Sequence, residues 1–195
     1  DAGYYVPTTA QSSQTACSTG TYQALTGQAS CDDADAGYYV DQTTQTTQTE
    51  CDLGTYQALT GQTSCNDADA GYYVPTTAQS SQTACSTGTY QATTGQSSCD
   101  DADAGYYVPT TAQTGQTACL AGTYNPSTGS TSSSACGDAD AGYHVPTTAQ
   151  TSQTACSTGT YQALTGQSSC DDADAGYYVD QTTQKIGRAS CRERV

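Results

Sequence analysis

Apolar residues in this chain form short islands that return on a fixed period. GYYV stands at 3–6, TYQAL at 21–25, GYYV again at 37–40 and TYQAL at 55–59, with Gln, Ser and Thr filling the intervals. Such islands read as short strands bounded by turn residues. Gly20-Thr21-Tyr22-Gln23 is predicted as a strand that Ala24 and Leu25 extend. Thr26 and Gly27 follow as a turn, where Gly takes positive φ at little steric cost. Gln28 to Cys31 is expected to return antiparallel and close a hairpin. In the alternate segments Gly37-Tyr38-Tyr39-Val40 fills the strand position with bulkier residues, and aromatic packing is expected to stand in for a missing bridge.

The islands belong to an internal repeat. DAGYY begins at Asp1, Asp35, Asp69 and Asp103, returns as DAGYH at Asp140, and stands again at Asp174. The blocks are 1–34, 35–68, 69–102, 103–139, 140–173 and a partial 174–184. The fourth carries three extra residues, placed in the Ser-rich run Asn125 to Ser134. Both ends fall inside the array, so the sequence reads as a piece of something longer. Each block is itself doubled, because Gly3 onward matches Gly20 onward at an offset of 17.

One half-unit carries two cysteines and the other carries none: Ala34 and Gln48 occupy the vacant positions. Joint presence and joint absence is what a bonded pair gained or lost as a unit looks like. The expected bridges are therefore Cys17–Cys31, Cys51–Cys65, Cys85–Cys99, Cys119–Cys136 and Cys156–Cys170. Links between neighbouring blocks, such as Cys31–Cys51, remain the alternative. A bridge closing a loop of about 15 residues contributes roughly 3 kcal/mol by the loop-entropy estimate.

Composition excludes several classes. The 195 residues include 16 Tyr, no Phe, Trp or Met, 11 Cys, and a formal charge of −15. Nucleic acid is not an expected partner, because phosphate binding needs clustered Lys and Arg. No apolar stretch approaches the roughly 20 residues of a membrane helix. So many cysteines in so polar a chain point to a disulfide-stapled scaffold in an oxidising, extracellular or cell-surface setting. Leu, Ile and Val are too scarce for one large aliphatic core. For the same reason an open string of hairpins is favoured over a β-solenoid, whose rungs carry inward aliphatics.

The last eleven residues, 185–195, break the pattern. The repeat places a cysteine at 190, yet Cys191 sits in unrelated sequence after Gln184. IGRASCRERV can be reverse-translated as ATC-GGA-AGA-GCG-TCG-TGT-AGG-GAA-AGA-GTG, which resembles a common sequencing-library adapter in one frame. Such a scar is expected of a sequence assembled from environmental or transcript reads, and it is set aside from fold reasoning. All four basic residues (Lys185, Arg188, Arg192, Arg194) and the odd Cys191 lie in it. Without it, residues 1–184 hold no Lys or Arg and ten cysteines.

The motifs CSTGTYQALTGQASC, CDLGTYQALTGQTSC and CSTGTYQATTGQSSC resemble the ephrin-receptor-like cysteine-rich repeats. Their C-x-x-G-x-Y-x8-C spacing is also similar to the first small module of tumour-necrosis-factor-receptor cysteine-rich domains. The resemblance covers 1–184. It implies a small disulfide-rich β fold, an elongated linear array of disulfide-closed β-hairpins, in an extracellular interaction or structural protein. The family has C-x-x-C at each junction, whereas Asp32, Asp33 and Ala34 follow Cys31 here.

Surface chemistry concentrates at two places. Acidic pairs mark the junctions: Asp33 and Asp35, Asp67 and Asp69, Asp101 and Asp103, Asp138 and Asp140, Asp172 and Asp174. Two carboxylates two residues apart partly match a calcium loop, but the distal bidentate Glu is missing; a solvated acidic junction is the plainer reading. Ser and Thr make up about 29% of the chain, a composition expected of O-glycosylated stalks. The candidate glycan sites are Thr8, Thr9, Thr43, Thr44, Thr76, Thr77, Thr110, Thr111, Thr147 and Thr148. Catalysis has no base–nucleophile pair to stand on, and the single His144 occupies a Tyr position. A Tyr recurs every 17 residues from Tyr5 to Tyr124, and module packing explains that series better than a sugar-stacking stripe.

The expectation is thus a structural, self-associating subunit of an extracellular O-glycosylated filament or surface appendage, with no cofactor beyond a conceivable Ca²⁺. Two alternatives are a spacer or adhesion ectodomain of a receptor-like protein, and a calcium-binding surface-layer protein.

Overall fold

The structure is a computed structural model that describes residues 1–8, 11–175, 177–179 and 187–188. Apart from a 3-10 turn at Ser133–Ala135, the regular elements among them are two-residue strands in antiparallel pairs. This is a small disulfide-rich β fold of repeated hairpins. Contacts divide it into two compact units.

The first unit comprises Asp1–Ser86, Tyr90–Asp100 and Thr111–Thr114. Its hairpins are β1 (Tyr4–Tyr5) with β2 (Thr15–Ala16), β3 (Thr21–Tyr22) with β4 (Asp32–Asp33), and β5 (Tyr38–Tyr39) with β6 (Thr49–Glu50). β7 (Thr55–Tyr56) with β8 (Asn66–Asp67) and β9 (Tyr72–Tyr73) with β10 (Thr83–Ala84) continue the series. β11 (Thr89–Tyr90) pairs with β12 (Asp100–Asp101); Tyr90 and Asp100 count with this unit, Thr89 and Asp101 with the second.

The second unit comprises Thr87–Thr89, Asp101–Thr110 and Gly115–Val195. It contains β13 (Tyr106–Tyr107) with β14 (Thr117–Ala118), β15 (Thr123–Tyr124) with β16 (Gly137–Asp138), and β17 (Tyr143–His144) with β18 (Thr154–Ala155). β19 (Thr160–Tyr161) with β20 (Asp171–Asp172) and β21 (Tyr177–Tyr178) with β22 (Gly187–Arg188) complete it. That last pairing spans one residue less than Tyr143↔Ala155. Lys185, Cys191, Arg192 and Arg194 lie outside the described residues.

The hairpins fall in the predicted segments, with one correction. The return strand is not Gln28–Cys31 but Asp32–Asp33, and Ala24–Leu25 do not extend β3. The backbone before the cysteine is engaged elsewhere. The Gln28 carbonyl accepts from Val6 N–H at 2.9 Å, and the Ser30 carbonyl accepts from the Gln23 side chain at 3.0 Å. Only past Cys31 is the chain free to pair with β3.

Successive hairpins are also hydrogen-bonded to one another through their main chains. Gly20 N–H donates to Val40 O (2.7 Å), Gln23 N–H to Gln45 O (3.0 Å), and Gly61 N–H to Ala34 O (2.7 Å). The second unit repeats the scheme with Gly105 N–H to Asn125 O (2.7 Å), Val108 N–H to Ser130 O (2.9 Å) and Ala149 N–H to Cys119 O (2.9 Å). Each half-unit is thereby tied to the next through its main chain. The interior is correspondingly thin. One buried row alternates Cys and Ala (Cys17, Ala34, Cys51, Ala68), and another alternates Gln and Val (Gln23, Val40, Gln57, Val74). All five leucines are exposed, because no position of the repeat offers them an interior.

A tighter contact reaches the half-unit after next. Gly71 has φ +87°, and a Cβ there would collide with the Ala112 carbonyl oxygen. Ala112 and its counterparts Thr44, Ala78 and Ala149 themselves sit at φ between 57° and 63°. The equivalent residue in the Cys-bearing half is glycine, as at Gly61 and Gly95. A non-Gly residue there costs about 1–2 kcal/mol, and the hydrogen bond from its N–H helps hold it.

The three-residue insertion is absorbed locally. The bond from Val108 to Ser130 keeps the spacing seen from Val74 to Gln96, whereas Cys119–Cys136 spans 17 residues against 14 elsewhere. The extra residues fall beyond Ser130, where the 3-10 turn stands.

Gly71→Ala combines left-handed φ with a backbone clash and is expected to cost at least about 2 kcal/mol. Gly115 has open space around it and no positive φ, so Gly115→Ser should stay within about 0.5 kcal/mol. Denaturant midpoints of the two variants check the contrast; equal midpoints would refute it.

Candidate functional site

The five cystines are Cys17–Cys31, Cys51–Cys65, Cys85–Cys99, Cys119–Cys136 and Cys156–Cys170. Their Cα atoms lie 5.6–5.8 Å apart, within the ordinary range for a cystine. Each bond is local to one half-unit, and Cys31 is not joined to Cys51. The first cysteine of each pair is buried beside the ladder and the second is half-buried.

The Cys-free halves are closed by a device that the sequence reading missed. Gln48, standing at the second cysteine position, donates from Nε2 to Asp35 Oδ2 at 2.7 Å. Its Oε1 accepts the Asp35 main-chain N–H at 2.6 Å. The same two-point clamp joins Asp69 to Gln82, Asp103 to Gln116, and Asp140 to Gln153. Asp1 and Gln14 make it as well. The signal was available in the sequence, since Asp and Gln recur thirteen residues apart in those blocks. Aromatic packing alone is therefore not what replaces the bridge, although the Tyr side chains from Tyr4 to Tyr161 are half-buried as expected.

A second missed feature is the buried amide. Gln23 donates to the Ser30 carbonyl (3.0 Å) and accepts from Leu25 N–H (3.0 Å), which satisfies loop backbone inside the staple. Gln57, Gln91 and Gln162 repeat this. In the insertion repeat Asn125 serves instead, reaching Tyr106 O and Ser130 Oγ.

The clamp divides the acidic pairs. Asp35, Asp69, Asp103 and Asp140 face their glutamines across the turn. Asp33, Asp67, Asp101 and Asp138 sit on return strands, with carboxylates lying against Gly61, Gly95, Gly129 and Gly166. Asp172 is on β20, and Asp174 is exposed with Gly187 at the clamp position. Among the described residues, the one cluster of three ligand-type side chains within 4.8 Å is His144, Cys156 and Cys170. The junctions still concentrate negative charge: Tyr22 is raised above its ordinary 10.0, first by burial and then by Asp35 and Asp32.

The hydroxyl tracts lie outward. Thr8, Thr43, Thr44, Thr76, Thr77, Thr110, Thr111, Thr147 and Thr148 are all exposed, while Thr9 falls outside the described residues. Thr43 and Thr44, Thr76 and Thr77, Thr110 and Thr111, and Thr147 and Thr148 each follow a buried valine of a Cys-free half and stand at or beside a left-handed residue. Shallow pockets of about 300–430 Å³ occur where the second Tyr of a Cys-free half faces the next staple, as Tyr5 faces Cys31 and Tyr39 faces Cys65.

Neither protein-family models nor curated proteins give a match to this chain. No helix of the described residues is long and apolar enough to cross a membrane.

Gln82→Ala removes both clamp bonds and should cost about 1 kcal/mol. Gln82→Glu sets a second carboxylate against Asp69 and should cost more at neutral pH. Paired denaturant titrations decide this, and a Glu variant as stable as the parent would contradict the clamp. The raised Tyr22 carries its own sign: its share of stability is full below pH 10 and is lost as pH climbs through the higher folded value. Tyr22→Phe should therefore lessen alkaline destabilisation, read as the melting temperature between neutral pH and pH 11.

Proposed function

We propose that the chain is a structural subunit of an extracellular, O-glycosylated filament or surface appendage, built from ephrin-receptor-like cysteine-rich repeats. The observation that carries this reading is the recurrence of one set of main-chain bonds from half-unit to half-unit, with one exposed VPTT-type tract in most 34-residue blocks. A repeat that presents the same surface at each step suits assembly, because every subunit offers its neighbour an equivalent interface. Five cystines favour an oxidising compartment. Exposed hydroxyls, most of them on proline-led tracts, are accessible to glycosyl transfer. The acidic, catalysis-poor surface fits a scaffold.

The test is secretion of the full chain from a host that adds O-glycans, followed by electron microscopy and intact mass. Filaments with a 34-residue axial repeat, and a mass above the polypeptide that falls on β-elimination, are expected. Dispersed monomers of bare polypeptide mass would overturn the reading.

A further inference from the structure

One staple differs from the other four in its neighbour. At three of the others a Tyr stands beside the cystine: Tyr5 and Cys31, Tyr39 and Cys65, and Tyr107 and Cys136 line the same pockets. In the fifth block this residue is His144, whose Nδ1 lies 3.3 Å from Cys170 Sγ. His144 and both sulfurs of Cys156–Cys170 fall within 4.8 Å of one another. The Cα atoms of the pair are 5.8 Å apart.

We propose that this staple is a latent metal site: once its disulfide is reduced, Cys156, Cys170 and His144 bind a borderline-soft divalent cation such as Zn²⁺. Two thiolates and an imidazole are the donor types zinc prefers, and on a tetrahedral zinc such atoms sit roughly 3.5–4 Å apart. The imidazole is already close to that distance from one sulfur. Three of the other staples present a phenol in its place, a donor less suited to zinc, and the sequence puts Tyr73 at the matching position of the fourth, so the site is specific to the fifth block. Water would hold the fourth position.

The chemistry balances in two steps. The Cys156–Cys170 bond takes two electrons and two protons from two equivalents of a small monothiol, which leaves as its own disulfide. The cation then binds two thiolates and an imidazole nitrogen, displacing two thiol protons to solvent. Hairpin β19–β20 and the ladder bond from Cys156 N–H to Gly142 O hold the cysteine positions without the covalent link.

The full chain is reduced with excess glutathione without denaturant, freed of thiol, exposed to Zn²⁺ or Co²⁺, alkylated, and mapped with an acid protease. The expected result is Zn²⁺ protection of Cys156 and Cys170, with thiolate-to-Co²⁺ charge-transfer absorption saturating at about one equivalent per chain. His144→Tyr restores the residue of the other blocks, so folding is not at issue, and it should weaken Co²⁺ binding at least about tenfold. Tyr39→His should transfer protection to Cys51 and Cys65. The proposal fails if the staple cannot be opened short of denaturation. It also fails if the reduced pair goes unprotected, or if His144→Tyr binds as tightly as the parent.

Discussion

A hairpin with two residues in each strand cannot satisfy its own backbone, and the hydrogen bonds that make up the deficit run to the next half-unit. Gly20, Gln23 and Gly61 all donate across that boundary, and their counterparts do the same throughout the described residues. A buried main-chain group without a partner costs about as much as a lost hydrogen bond. Packing could not compensate, since the interior offers one Cys or Ala and one Val or Gln per half-unit. The ladder is therefore the constraint to which the side chains conform. It requires glycine at Gly3, Gly20, Gly37, Gly54, Gly71, Gly88, Gly105 and Gly122, where a carbonyl from two half-units on would meet any Cβ.

Within that constraint the two halves solve the same closure problem by different chemistry. A cystine joins the half-unit's ends in one, and a carboxylate–amide clamp joins them in the other. The covalent closure acts mainly on the unfolded chain, at roughly 3 kcal/mol for a loop of this size. The clamp acts on the folded state and is worth about as much as an ordinary pair of hydrogen bonds. Ala34 shows why they alternate cleanly: it fills the buried cysteine position with a side chain of similar bulk, so the row keeps its packing whichever closure is used.

Period carried most of what the sequence revealed. The offset of 17 located the first strand of each described hairpin, and joint loss of the two cysteines pointed to the pairs that the structure joins. What the period could not show was direction. It did not say whether Gln28 faces its own strand or the preceding half-unit's Val6, so the return strand was placed too early. Gln48 and Asp35 were each visible, but as a polar filler and a possible calcium ligand. Their reciprocal bonding depends on a turn geometry that brings residues thirteen apart face to face. The buried Gln23 escaped for a related reason: an amide beside Tyr reads as surface until the loop backbone it satisfies is seen.

Coupling to the next half-unit and to the one after it sets how damage spreads. In a linear repeat held by nearest-neighbour terms alone, a defect stays between two interfaces. Here Gly71 touches Ala112 while also donating to Gln91 and accepting from Cys85, so one position belongs to four segments of chain. A staple, by contrast, lies inside one half-unit and shares no atom with the ladder bonds beyond its own cysteine backbone. Opening a cystine should then loosen one loop while the main-chain pattern on either side persists. Forcing a methyl group onto a ladder glycine should disturb three half-units at once. That division of labour explains why the cysteines can vanish from every second half while the glycine of the ladder does not.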